Sequence, residues 1–182
     1  MIFVCLGNPG KKYAKTRHNF GRLFGRFIIN ELMSLRVKKN KFGEIWQLPN
    51  NWRVVFLNCF MNESGACFLK LLSKSRLFLS ETRNQKPETK LFVVHDDLDL
   101  PFGEFKIQFG RGAAGHHGVE SIIKTLETKD FWRIRLGIDE PPANIDPEKY
   151  VLMPFNRKEK KELPSVFEEV LAKIQSSKFS DS

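Results

Sequence analysis

Apolar residues crowd the start of the chain: IFVCL, from Ile2 to Leu6, runs without a polar break and stops at GNPG, which predicts a buried strand feeding a tight turn. The period then changes. Phe20, Leu23, Phe24, Phe27, Ile28 and Leu32 fall on one face of a helix, with Asn19 where a capping residue belongs. A basic stretch, RVKKNKFG (Arg36 to Gly43), reads as a loop leading to two strands, EIWQL (Glu44 to Leu48) and RVVFL (Arg53 to Leu57), joined as a hairpin through PNN. A second helix is expected from about Ser64 to Lys74, followed by a polar, proline-containing solvent loop from Ser80 to Lys90.

The second half repeats the alternation of element types. LFVVHDD (Leu91 to Asp97) is an apolar strand ending in carboxylates, and EFKIQF (Glu104 to Phe109) alternates as a strand with one wet face does. A glycine-rich turn, a helix near Val119 to Leu126 and the strand WRIRLGI (Trp132 to Ile138) follow. Leu163, Val166, Phe167, Val170, Leu171 and Ile174 mark a last helix with Pro164 near its start. Interleaved strands and helices make the class α/β, and the hairpin makes the sheet mixed. The expectation is a single domain over residues 1–182 with a short polar tail from about 175, without internal repeats or low-complexity tracts.

Composition narrows the partners. With 41% hydrophobic and 28% charged residues among 182, the chain resembles neither a disordered nor a membrane protein. Thirty Lys and Arg against 21 Asp and Glu give +9 at pH 7, an excess that favours a polyanionic partner through counterion release, although a merely soluble basic surface would have the same sum. Cys5, Cys59 and Cys67 form no CxxC pair, and three is an awkward number for a disulfide framework, so a reducing cytosol fits better. The apolar start lacks a basic flank and is too short for a signal peptide, and no stretch approaches a membrane span. The expected location is the cytoplasm, away from membranes.

In an α/β sheet, chemistry gathers beyond the carboxyl ends of strands, and two such ends here are complementary. GNPGKKYAKTRHN offers Asn8, Tyr13 and His18; HDDLDLPFG offers His95, Asp96, Asp97 and Asp99; and FMNESG presents Asn62 near a helix start. A histidine beside a carboxylate is a base with its orienter, and asparagine amides can position a carbonyl. On spacing alone the plainer reading takes precedence, with His18 and Asn19 as helix-capping residues and Asp96 as a turn former. His95, His116 and His117 lie near aspartates but show no HxxxH or similar spacing, so neither metal nor cofactor is expected. GRGAAG (Gly110 to Gly115) matches the dinucleotide-binding pattern GxGxxG, with Asp139 after the next strand, but the strand before it is half polar, unlike the doubly buried first strand of that fold. Cys59 reads as a structural thiol, and Trp46, Trp52 and Trp132 as packing residues.

GNPG, TRHN, FMNESG and HDDLDLPFG, in that order, resemble the bacterial peptidyl-tRNA hydrolase family, and the similarity continues through GHHG (Gly115 to Gly118) and FWRIRLGI to about Met153. The resemblance implies a mixed, twisted sheet wrapped by helices. It also implies a monomer with no obligate protein partner, acting on the acceptor end and 3′-linked peptide of peptidyl-tRNA to release free tRNA. By position, His18 corresponds to the catalytic base and Asp96 to the aspartate that stabilises its basic form. Asn8 matches the residue that tells N-blocked from free aminoacyl ester, while Tyr13, Phe60 and Asn62 match residues lining the groove for the tRNA 3′ end and peptide.

Three departures stand out. His117 occupies a position where the family usually has Asn. Arg135 matches one member of a basic pair for the tRNA 5′-phosphate, but its expected lysine partner is Gln108, with Lys106 and Arg111 as nearby substitutes. The segment Arg76 to Lys90 is longer than usual and the tail after Lys173 shorter. The alternative to an enzyme is a non-catalytic RNA-binding relative of the same fold.

Overall fold

A computed structural model describes residues 1–73, 90–177 and 179. Apart from Lys90, the polar stretch from Ser80 and the long segment from Arg76 lie outside the described residues, as do residues 178 and 180–182 of the tail. β1 (Ile2–Cys5) is buried along its whole length, as an unbroken apolar run requires. Ile2 and Val4 face one side of the sheet and Phe3 and Cys5 the other, so this strand feeds two separate cores.

The elements continue as α1 (Phe20–Glu31), β2 (Leu35–Asn40), β3 (Gly43–Gln47), β4 (Arg53–Leu57), α2 (Ser64–Ser73), β5 (Leu91–Asp97), β6 (Phe105–Phe109), α3 (His117–Leu126), β7 (Trp132–Gly137), α4 (Pro147–Val151) and α5 (Arg157–Ser176). Among the described residues the strands form one mixed sheet in the order β2-β3-β4-β1-β5-β7-β6. β1 runs parallel to β4 and β5, and β5 parallel to β7, so their carboxyl ends share one rim. The outer pairs are antiparallel. Phe20, Phe24, Phe92, Val94 and Phe167 build the core on the face of α1 and α5, while Val4, Val55, Phe68, Leu71, Val93, Val119 and Ile122 build it on the face of α2 and α3.

The expected hairpin is present as β3 and β4, but it has a third strand. Arg36–Gly43, read as a loop, is mostly β2, which pairs antiparallel with β3. Its residues are exposed or half-buried on both faces, so no apolar alternation marks it, and its lysines suit a sheet edge. α3 starts at His117 rather than Val119, and α4, capped by Asp146 with Pro147 at its start, was not foreseen. α5 begins at Arg157, so Pro164 lies inside the helix. The capping box of Asn156 and Glu159 sets the true start, ahead of a first turn too polar to show the helical period.

α1 seats unusually close to the sheet. A Cβ at Gly21 would collide with the carbonyl oxygen of Val94 on β5, so only glycine permits this approach. That contact holds the segment before α1 against the carboxyl end of β5.

Candidate active site

The turn that follows β1 ends in Arg17–Asn19, a single 3₁₀ turn whose three residues are all buried. Its flanking residues are fastened from opposite sides. Arg17 ion-pairs with Glu159 at 2.8 Å, donates to the Pro154 carbonyl at 2.6 Å and lies over the Tyr150 ring. Asn19, expected to cap α1, makes no capping hydrogen bond; its side chain instead accepts from the Asn8 N–H at 2.8 Å and donates to the Asn8 carbonyl at 2.9 Å. His18, 9% exposed, is thus fixed in place between two anchored neighbours.

His18 Nδ1 lies 2.9 Å from Oδ2 and 3.1 Å from Oδ1 of Asp96, whose residue is 3% exposed. His116 Nε2 also approaches Asp96 Oδ1 at 3.0 Å, its ring 4.9 Å from that of His18. The His116 ring also caps α3: its Nδ1 accepts the backbone N–H groups of Gly118 and Val119 at 3.1 and 3.2 Å. Those two donors fix the His116 tautomer, because a nitrogen that accepts must carry the lone pair. The proton therefore sits on Nε2 and is donated to Asp96. The carboxylate in turn accepts Nδ1–H of His18, which leaves Nε2 of His18 as a basic lone pair in a residue that lines the cleft.

Electrostatics follow from this geometry. Burial alone would push the His18 pKa down, but the charge of Asp96 and its hydrogen bond outweigh burial and raise it above the usual value of 6.5. Burial likewise opposes ionisation of Asp96, yet His18 and His116 hold its carboxyl well below the usual carboxylate range. Behind them, His95 is fully enclosed, its Nδ1 2.7 Å from the Asp96 carbonyl; burial first and His116 second push its pKa down to about 3. His95 therefore stays neutral and packs its ring 4.7 Å from that of His116.

Asn8, His18, Asp96, Asp97, His116 and His117 line a cleft of about 450 Å³, with Leu98, Pro147, Val151 and Leu152 as its apolar lining. Asn8 Oδ1 accepts the Met61 N–H at 2.9 Å, so the residue fixes the Phe60–Asn62 segment to the strand-end turn. Tyr13 and Phe60 meet edge to face, 6.2 Å apart, beside that link, with Phe60 52% exposed. Asn62 is exposed in the turn before α2 and is not among the lining residues. The His117 side chain, 62% exposed at the start of α3, is 3.8 Å from Glu120 and stands on the rim of the cleft.

Arg135 has partners within the protein: Asp97 at 2.6 Å, Gln108 at 3.0 Å and Asp99 at 3.7 Å. Lys106 lies opposite Arg135 in the β6–β7 register and, like Arg111, is exposed. Arg133 donates to the carbonyl of Gly112 and ties down the glycine-rich loop, whose Ala113 to Gly115 line the cleft. β6 and β7, on either side of α3, are antiparallel, whereas a dinucleotide-binding unit joins parallel strands, which removes that reading of GxGxxG.

Among the described residues, His18, Asp96 and His116 form a group of donor atoms all within 4.8 Å of one another. Their chemistry does not suit an ion as arranged. Both imidazole nitrogens facing Asp96 carry protons donated to it, and a metal would need their lone pairs. The sequence offers His116 only as a possible metal ligand. Its signal as a helix cap was its place just before the apolar period that starts at Val119.

A family model described as Peptidyl-tRNA hydrolase matches residues 2–180. The peptidyl-tRNA hydrolase of Mycobacterium marinum is 38% identical over 178 residues, covering 93% of this chain and 86% of the relative. That of Nocardia farcinica is 36% identical over 183 residues, with 96% and 88% covered. The crystal structure of peptidyl-tRNA hydrolase from Acinetobacter baumannii is similar with a TM-score of 0.80 and 26% identity, over 96% of this chain and 86% of that one. With an α/β sheet whose strand ends assemble these motifs around one cleft, the chain belongs to the peptidyl-tRNA hydrolase family.

Proposed function

We propose that this protein hydrolyses the ester between an N-blocked peptide and the 3′ end of tRNA, with His18 as general base. The observation that carries the reading is the Asp96 carboxylate accepting from two histidines, one of them locked in its tautomer and the other left with a basic nitrogen at the cleft. In the forward step His18 Nε2 takes a proton from water, the oxygen adds to the ester carbonyl, and Asp96 stabilises the imidazolium. The imidazolium then returns that proton to the departing ribose oxygen, giving a carboxylic acid and free tRNA.

Asn8 contributes an amide NH₂ that is left over once its oxygen accepts from Met61, a donor suited to an acyl oxygen. Tyr13 and Phe60 offer an aromatic pair beside it for the 3′ end, and Asn62 an exposed amide. His117 bounds the rim. Lys106 and Arg111 present free-standing positive charge near Arg135 for the acceptor-stem phosphates, and Arg135 joins them by exchanging its contact with exposed Asp99.

A monomeric enzyme of the cytoplasm, single-domain over its length, belongs to this reading; its three free thiols suit a reducing compartment, and among the described residues no helix is long and apolar enough to cross a membrane. The test is release of tRNA from N-acetylaminoacyl-tRNA, with unblocked aminoacyl-tRNA as comparison. Cleavage of the blocked ester in preference supports the reading; tRNA binding without cleavage makes the chain an RNA-binding relative.

A further inference from the structure

Two cysteines flank the Phe60–Asn62 segment and share one apolar cluster, on the opposite face of the sheet from the third. The Phe42 carbonyl accepts the Asn58 N–H at 2.9 Å and the Cys67 thiol at 2.9 Å, which brings the Cys67 sulfur against the chain where β4 ends and Cys59 begins. Cys59 and Cys67 share one apolar cluster with Phe42. Cys67 is buried and Cys59 half-buried, so solvent reaches the pair from the Cys59 side. Contact with Cys67 is the foremost influence raising the Cys59 thiol, and contact with Cys59 the foremost lowering Cys67. Cys5 is buried in the core on the other face of the sheet and has no thiol neighbour there among the described residues.

We propose that Cys59 and Cys67 form a reversible disulfide with a low-molecular-weight disulfide as oxidant, and that this bond throttles the substrate groove. One cysteine, as thiolate, attacks the small disulfide and expels a thiolate. The other loses its proton and attacks the mixed disulfide, expelling the second thiolate. Two protein thiols become one disulfide, the reagent is reduced to two thiols, and the two released protons go to those products.

The consequence follows from what lies between the two sulfurs. Phe60, Met61 and Asn62 belong to the closed loop, and the Met61 N–H is the donor that Asn8 accepts. Bonding the sulfurs draws Cys67 off the Phe42 carbonyl and re-aims the segment that faces the 3′ end. A misplacement on the order of 1 Å in a positioning segment costs up to about 100-fold, and a loss of about tenfold in kcat/KM is expected here. This consequence rests on the hydrolase reading; formation of the bond does not.

The experiment treats the reduced full-length protein with glutathione disulfide, alkylates remaining thiols, maps the peptides by mass and assays cleavage of N-acetylaminoacyl-tRNA. A Cys59–Cys67 link, a roughly tenfold fall in kcat/KM and recovery with dithiothreitol are expected. Cys59→Ser should cleave like the parent and ignore the oxidant; Cys59→Ala serves the same purpose if the serine variant fails to fold. Absence of the link, a link without loss of rate, or equal loss in the Cys59 variant overturns the proposal. If the reduced parent cleaves nothing, the hydrolase reading fails separately, and the peptide map with the tRNA affinity of the oxidised form decides the disulfide and its effect.

Discussion

Replacing Asp96 by Asn keeps the size of the side chain and removes its charge, and the structure dictates how the new amide must sit. His116 Nε2–H points at Oδ1 and has no alternative tautomer while its Nδ1 caps α3, so the amide oxygen is claimed by His116. The NH₂ then takes the Oδ2 position, 2.9 Å from His18 Nδ1. Facing a donor, Nδ1 of His18 has to accept, which moves the proton to Nε2 and removes the basic lone pair from the cleft. Loss of the charge-assisted hydrogen bond alone is worth about 1.5–3 kcal/mol, or roughly 10- to 150-fold in rate. The wrong tautomer adds to this, so Asp96→Asn should lower kcat by about 10²–10⁴, the range of a lost general base. Single-turnover cleavage of N-acetylaminoacyl-tRNA at fixed salt measures it. In a His116→Ala background the amide is free to turn its oxygen to His18, so the same substitution should cost less, by a coupling of about 0.5–3 kcal/mol. Parental rate in Asp96→Asn, or an equal cost with and without His116, refutes the reasoning.

Because Asp96 raises the His18 pKa, the neutral base gains population as pH rises through a value above 6.5, and the acid limb of a kcat–pH profile should lie there. Asp96→Asn leaves only burial acting on His18, so any residual activity should show that limb at lower pH. Gly21→Ala should destabilise by about 1–3 kcal/mol in thermal melts, since the carbonyl it would strike is backbone and cannot swing aside. Lys106→Ala and Arg111→Ala should each weaken tRNA binding and reduce the slope of log affinity against log salt by about one, whereas unchanged slopes would move the phosphate contact elsewhere.

Much of the fold was legible because its strongest elements carry simple periods. β1, β4, β5 and β7 are buried by apolar side chains and α1 presents one apolar stripe, so each betrayed itself. β2 did not, since an edge strand with exposed side chains has no buried face to impose alternation. α5 was seen from its apolar second half but not from its charged first turns, whose start is set by the Asn156 and Glu159 capping box. Within the site, spacing alone left His18 as a capping residue and Asp96 as a turn former; the family resemblance paired them, and the sheet brings them to 2.9 Å. Asn19 was assigned to its own helix although its partner is the Asn8 backbone across the turn. Arg135 was placed by resemblance at the tRNA 5′-phosphate; that it ion-pairs with Asp97 on a different strand is visible only once sheet register brings them together. His116 acts through a tautomer that two backbone amides impose, a property no residue spacing encodes.

The central claim is that His18 moves the proton without holding the substrate. His18→Ala, measured for both tRNA affinity and single-turnover cleavage of N-acetylaminoacyl-tRNA, tests it most directly. The expected result is a rate lower by about 10²–10⁴ with affinity nearly unchanged. Cleavage at the parental rate, or a loss of rate explained entirely by lost binding, would contradict it.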